Sequence, residues 1–179
     1  MNLDLYYLIP SLPEIKEDKK PIIGSYGFLD LCRPYLSTRE FIYLEKSRLY
    51  TFDWHNPFEP VREWYRMESD FRNQMVELRA EKTGKQPLKF FRGEYLRGKI
   101  DEDVRILLQI QEPDEMAEAL FKRRWHLLNR LHSGQFFTLE WLGIYYLKLQ
   151  LVEERFKYSK EAGEKNLHIF LIKDSEYHG

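Results

Sequence analysis

Residues 136–156, FFTLEWLGIYYLKLQLVEERF, limit what this chain can fold into more than any other stretch. Leu142, Tyr145, Tyr146, Leu149, Val152 and Phe156 recur at helical spacing. Leu147, Leu149 and Leu151 also alternate with Lys148 and Gln150, as in a strand. A run of about 18 residues exceeds the usual strand, so the expectation is a helix. Trp141, Ile144, Leu147 and Leu151 fall off its main stripe. A helix that is apolar on more than one face needs neighbours on two sides. Gly143 predicts that one neighbour approaches closely, and Thr138 is the expected cap. A bilayer is the wrong neighbour. A spanning helix needs about 20 mostly apolar residues, whereas Glu140, Lys148 and Gln150 interrupt this one and Glu153, Glu154 and Arg155 end it. The stretch reads as the central helix of the chain's own bundle.

The remaining elements follow from local signals. LDLYYLI at 3–9, bounded by Pro10 and Pro13, reads as a short extended segment. Ser25 is the expected cap of a helix carrying Phe28, Leu31, Cys32 and Tyr35, with Pro34 distorting its last turn. Ser37 and Glu40 have the spacing of a capping box ahead of Phe41 and Leu44. Pro60 suits the first turn of a long helix reaching about Ala80 or Glu81, with Gly84 just past its end. Val61, Trp64, Phe71, Met75 and Leu78 form its apolar stripe, which Glu68 interrupts. A helix is expected after Asp101, using Val104, Leu107 and Leu108. Another begins at Pro113, turns Met116, Leu120, Leu127, Leu128 and Leu131 inward, and stops at Gly134. Ser159 is the expected cap of a last helix carrying Leu167, Phe170 and Leu171. The fold class is mainly α: one multi-helix bundle over 1–179, with candidate lobes 1–84 and 100–173 joined by an irregular, glycine-bearing middle.

Twelve Tyr, twelve Phe and four Trp accompany a hydrophobic fraction of 43%, which assigns most rings to a core and some to a contact surface. The net charge of −1 offers little electrostatic drive toward nucleic acid or anionic membranes. With a single cysteine, Cys32, no disulfide can form within the chain. The N-terminal apolar run is short and has no basic residue ahead of it, so the expected compartment is the cytoplasm.

No catalytic, cofactor or metal residue is assigned. Of His55, His126, His132, His168 and His178, none is four residues from another, and Cys32 has no Cys partner, so zinc spacing is missing. Cys32 shares an apolar face, where burial suppresses the thiolate that a nucleophile requires. The acidic runs at 101–103 and 153–154 are sequence neighbours, which do not face one another on a helix. GEYLRG at 93–98 lacks the Lys-Ser/Thr ending of a phosphate loop. Lys122, Arg123, Arg124 and Arg130 follow Glu112, Asp114, Glu115 and Glu118, an order that the helix dipole favours without any ligand. Segment 82–99 carries Lys82, Lys85, Lys89, Arg92, Arg97 and Lys99 among Phe90, Phe91 and Tyr95. It is the alternative functional reading, a single-stranded nucleic-acid module using charge and stacking.

Three stretches taken together carry a resemblance. They are YYLIPSLPEI with FLDLCRPYLS, then FRNQMVELRAEKTGK, then RLHSGQFFTLEWLGIYYLKLQLVEE. Tyr6, Tyr7, Ser11, Leu12 and Pro13, then Phe28, Leu29, Cys32 and Ser37, then Leu78, Arg79 and Ala80, then Leu147 to Leu151 are its distinctive residues. In this order they resemble a bacterial family encoded among the subunits of V-type (A/V-type) ATPases. The resemblance implies a helical, non-catalytic accessory or structural component that works by protein–protein contact. It would be peripheral to the inner membrane through the complex, as an adaptor like the C subunit between rotor stalk and membrane ring. The implied partners are ATPase subunits, with no cofactor.

Overall fold

The computed structural model describes residues 3–84, 91–92, 100–134 and 136–157. Seven α-helices lie among them: α1 (Leu3–Ser11), α2 (Ser25–Cys32), α3 (Thr38–Glu45), α4 (Glu59–Thr83), α5 (Glu102–Leu107), α6 (Pro113–His132) and α7 (Leu139–Lys157). A 3₁₀ turn at Arg33–Tyr35 contains Pro34 and closes α2, as the proline predicts.

Helix α7 is the axis of the bundle. It packs against α2, α3, α4 and α6, and Leu142, Ile144, Tyr146, Leu147, Leu149 and Val152 are fully buried along it. Thr138 caps it, its Oγ1 accepting from the Trp141 amide at 3.1 Å. At Gly143 the neighbour is α4. A Cβ there would stand 2.8 Å from the Val61 side chain and 3.0 Å from the Phe58 ring. Gln150 breaks the apolar pattern for a reason: it accepts from the Leu49 amide at 3.1 Å and donates to the Ser47 carbonyl at 2.9 Å. The Trp64 indole donates to the Leu49 carbonyl at 3.3 Å, so the connector between α3 and α4 is pinned from two helices.

Local signals hold for α3 and α4. Ser37 and Glu40 form the capping box. Helix α4 has proline in its first turn and ends at Gly84, whose φ of 65° is the left-handed conformation glycine tolerates best. Asp101 precedes α5, and Gly134 follows α6 with a φ of 85°.

Two expectations of local structure are corrected, and Leu31 and Tyr35, expected on the apolar face with Phe28 and Cys32, are exposed. Residues 3–9 are helical rather than extended. Leu5, Leu8 and Ile9 are buried, and with Leu12 they repeat at helical spacing. Pro10 lies next to the helix end, so it removes one ladder bond without splitting the helix, and the Ser11 hydroxyl donates to the Leu8 carbonyl at 2.6 Å. Ser25 is the first helical residue of α2 rather than its cap, which is Gly24. The orphan amide is satisfied from far away: Ser25 N donates to Glu153 Oε1 at 2.8 Å, and the Ser25 hydroxyl donates to the same carboxylate. A carboxylate from α7 thus caps α2, where the helix dipole favours negative charge.

The buried apolar residues form two clusters. The larger gathers α1, α2, α3, the first half of α4, the second half of α6 and α7. Its members, among them Phe28, Leu44, Trp64, Leu128 and Leu149, come from both sides of the irregular middle. The smaller joins Phe71, Met75 and Leu78 of α4 to Ile100, Val104 and Leu107. Along α6 the fully or nearly buried residues are Phe121, Trp125, Leu127 and Leu128, while Met116, Leu120 and Leu131 are half-buried. The helix serves a different neighbour at each end, so no single stripe describes it. The helix expected beyond Ser159 lies outside the described residues.

Candidate functional site

Two polar regions flank α6. The first is closed. Glu68 is fully buried on α4. Arg124 reaches it from α6, with Nη2 2.7 Å from Oε1, and Arg72 Nε is 2.8 Å from the same oxygen. Arg124 Nη1 also donates to the Tyr50 hydroxyl at 3.3 Å, and that hydroxyl donates to Glu154 of α7. The Tyr50 ring lies under both guanidinium groups, at 4.8 Å from Arg72 and 5.3 Å from Arg124. Burial works against the Arg124 cation, yet the Glu68 carboxylate outweighs it and holds the guanidinium above its ordinary pKa. Burial raises the Tyr50 phenol well above its usual range. Every charge in this cluster has a partner.

The second region is open. Residues 9–15, α6 and α7 border a cleft of about 450 Å³. Trp125, Trp141 and Tyr145 supply its rings, and Trp141 stacks on Tyr145 at 5.2 Å. The Tyr145 hydroxyl donates to the Pro13 carbonyl at 2.7 Å, which fixes the N-terminal wall. Lys148 reaches over the Trp125 face, its Nζ 4.6 Å from the centroid. Among the described residues no carboxylate pairs with Lys148. Burial pulls its pKa down, and Glu14 at the rim acts in the opposite direction. His132 packs on Trp141 at 4.5 Å, and its buried Nε2 has no hydrogen-bond partner. Burial, then the Lys148 charge, lower the imidazole to about 4, against a backbone hydrogen bond with Trp141. His132 is therefore a neutral base at neutral pH.

The residues weighed from sequence fall elsewhere. Cys32 is fully buried, and desolvation raises its thiol to about 12. His55 and His126 are exposed, and no group of metal-ligating side chains occurs among the described residues. The acidic runs have long-range structural partners: Asp101 exchanges two hydrogen bonds with Gln74, Asp103 pairs with Arg123 at 3.3 Å, Glu153 caps α2 and Glu154 holds Tyr50. In segment 82–99, Lys82 ends α4, and the Arg92 backbone is clamped by Asn73 and Ser69. The Arg92 guanidinium lies 5.5 Å from the Phe52 centroid. Lys85, Lys89, Phe90, Tyr95, Arg97, Lys99 and the whole of 93–98 lie outside the described residues. Sequence reasoning missed that His132 and Lys148 line the same cleft. The available signal was a lysine inside the apolar run 142–152 of α7.

A third feature is a set of exposed rings. Tyr7 and Phe136 are 70% and 73% exposed, and Tyr6 lies between Tyr7 and Phe137, at 6.0 and 5.0 Å from their centroids. Phe137 adopts a φ of 55°, uncommon for a bulky side chain. No helix among the described residues is long and apolar enough to cross a membrane.

Comparison with protein-family models, curated proteins and solved structures produced no match.

Proposed function

We propose that this chain is a non-catalytic component of a bacterial V-type ATPase. It would work by protein–protein contact on the cytoplasmic side of the complex, as an adaptor between rotor stalk and membrane ring. The observation that carries the proposal is how the residues of the family resemblance are used. Phe28, Leu29, Cys32, Leu78, Ala80, Leu147, Leu149 and Leu151 are buried, and their role is the fold. Tyr6 and Tyr7 belong to the same resemblance, yet they are 47% and 70% exposed. Together with Phe136 and Phe137 they present aromatic rings, two of them with a polar hydroxyl, of the kind enriched in protein interfaces. The occupant this patch suits is an ATPase subunit offering apolar side chains bordered by hydrogen-bond acceptors for the tyrosine hydroxyls.

The test is an affinity pull-down from mildly solubilised bacterial membranes, with bound proteins identified by mass. Wild-type chain should recover ATPase subunits. A Tyr6→Ala, Tyr7→Ala double variant with an unchanged helical spectrum should not. Recovery of no ATPase subunit while the complex is intact would sink the proposal. The alternative, nucleic-acid binding through 82–99, predicts a salt-sensitive affinity for single strands that is lost on reversing Lys89 and Arg92.

A further inference from the structure

We propose that this chain pairs with a second copy of itself through the exposed face of α2, in an antiparallel contact centred on Leu31. This contact uses none of Tyr6, Tyr7, Phe136 and Phe137, so it stands apart from the ATPase reading.

Gly27 is the starting point. It lies inside α2, a helix of eight residues, where alanine would hold the helix better. Nothing in the fold requires the glycine: a Cβ there would meet no atom within 4 Å, in contrast to Gly143. Gly27, Leu31 and Tyr35 follow one another at intervals of four residues, so they share one stripe of α2 and its 3₁₀ end. Leu31 and Tyr35 are exposed, whereas Phe28, Leu29 and Cys32 on the other side are buried. The stripe runs glycine, leucine, tyrosine, and that order is its own complement when reversed. Antiparallel two-fold pairing sets Leu31 against the partner's Leu31. The Tyr35 ring of each copy then lies over the open Gly27 of the other, where no side chain keeps the ring from the backbone. Tyr26, also exposed, flanks the contact. The charges fit the same arrangement. Asp30 and Arg33 are the charged residues of residues 25–35, one turn apart. Among the described residues neither forms an ion pair, and the Arg33 guanidinium rests on the Phe41 ring, 4.2 Å from its centroid. Reversal about Leu31 brings Asp30 of each copy alongside Arg33 of the other, whereas parallel pairing would set like charges together. One face that matches itself in shape and in charge is what a two-fold dimer requires.

Sedimentation equilibrium of the full chain tests this. Wild type should associate to a dimer with a dissociation constant of about 10 μM or tighter. Leu31→Lys sets two ammonium groups together at the two-fold axis. It should leave the chain monomeric with an unchanged helical spectrum, because the residue is exposed. Gly27→Gln separates the fold from the contact. It should hold α2 better yet weaken association by at least about tenfold, because its side chain takes the space of the Tyr35 ring. Asp30→Arg should weaken the dimer, and adding Arg33→Asp should restore it by forming both pairs in the opposite sense. A wild-type chain that stays monomeric at about 100 μM overturns the proposal. So does a dimer that Leu31→Lys leaves intact, or a charge exchange that restores nothing.

Discussion

The two polar regions beside α6 differ in one respect that matters more than their composition. Around Glu68, two arginines, a tyrosine and Glu154 satisfy one another and tie α4, α6 and α7 together. Around Lys148 and His132, a cation lies over the Trp125 face with Glu14 at the rim, a buried ring nitrogen has no hydrogen-bond partner, and among the described residues no carboxylate forms an ion pair with the cation. Arg124 and Trp125 are consecutive residues, so one helix turn serves both. A satisfied cluster does architectural work, and stability should suffer when it is broken. An unsatisfied one lowers stability as it stands, which folded proteins tolerate mainly where something binds.

Breaking the closed cluster should have the largest effect. Glu68→Leu strands the buried Arg124 charge and should destabilise the fold by about 3–5 kcal/mol in urea unfolding. Adding Arg124→Met should restore much of that loss, because two apolar residues replace two charges. A double variant no better than Glu68→Leu alone would deny that the pair acts as a unit.

Next comes the packed side of α7. Gly143→Ala forces a methyl group against Val61 and Phe58, and overpacking of this kind should cost about 1–3 kcal/mol. A neutral result would show that α4 and α7 are less tightly engaged than the geometry indicates.

A smaller effect sharpens the open side. His132 is lowered to about 4 in the fold, against an ordinary 6.5 when unfolded. Between those values the unfolded chain binds the proton and the folded chain does not. Stability is therefore fully present above 6.5 and is lost as the pH falls toward 4. Thermal unfolding at pH 7 and pH 5 should differ by about 1 kcal/mol from this group after allowance for solvent screening. His132→Phe should remove that share of the pH dependence, and an unchanged slope would place its origin elsewhere.

The parts legible in the sequence are those specified by near neighbours. The Ser37–Glu40 box, the proline and glycine that bound α4, and the two-sided burial of α7 are read directly from spacing. Helix α1 was hidden because prolines flank a short apolar run, although Leu5, Leu8, Ile9 and Leu12 keep the helical period. The site was hidden for a different reason. Glu68 is visible as a break in a stripe, but its partner Arg124 lies 56 residues away. Glu153 and Ser25 are 128 apart. Lys148 and His132 look like an interruption and an unpaired histidine until α6 and α7 are laid side by side. Spacing reports one helix face at a time, whereas both polar regions exist only between helices.

The comparison rests most directly on Lys148, and the decisive measurement is the urea unfolding free energy of Lys148→Met in the ligand-free protein. Met keeps the length and apolar contact of the lysine stem and removes a desolvated cation that forms no ion pair among the described residues. If the open region is maintained at the fold's expense, stability will be unchanged or raised by up to about 1 kcal/mol. A loss of more than about 1 kcal/mol would show that the ammonium's contact with Trp125 is itself structural, making the open region a second piece of architecture.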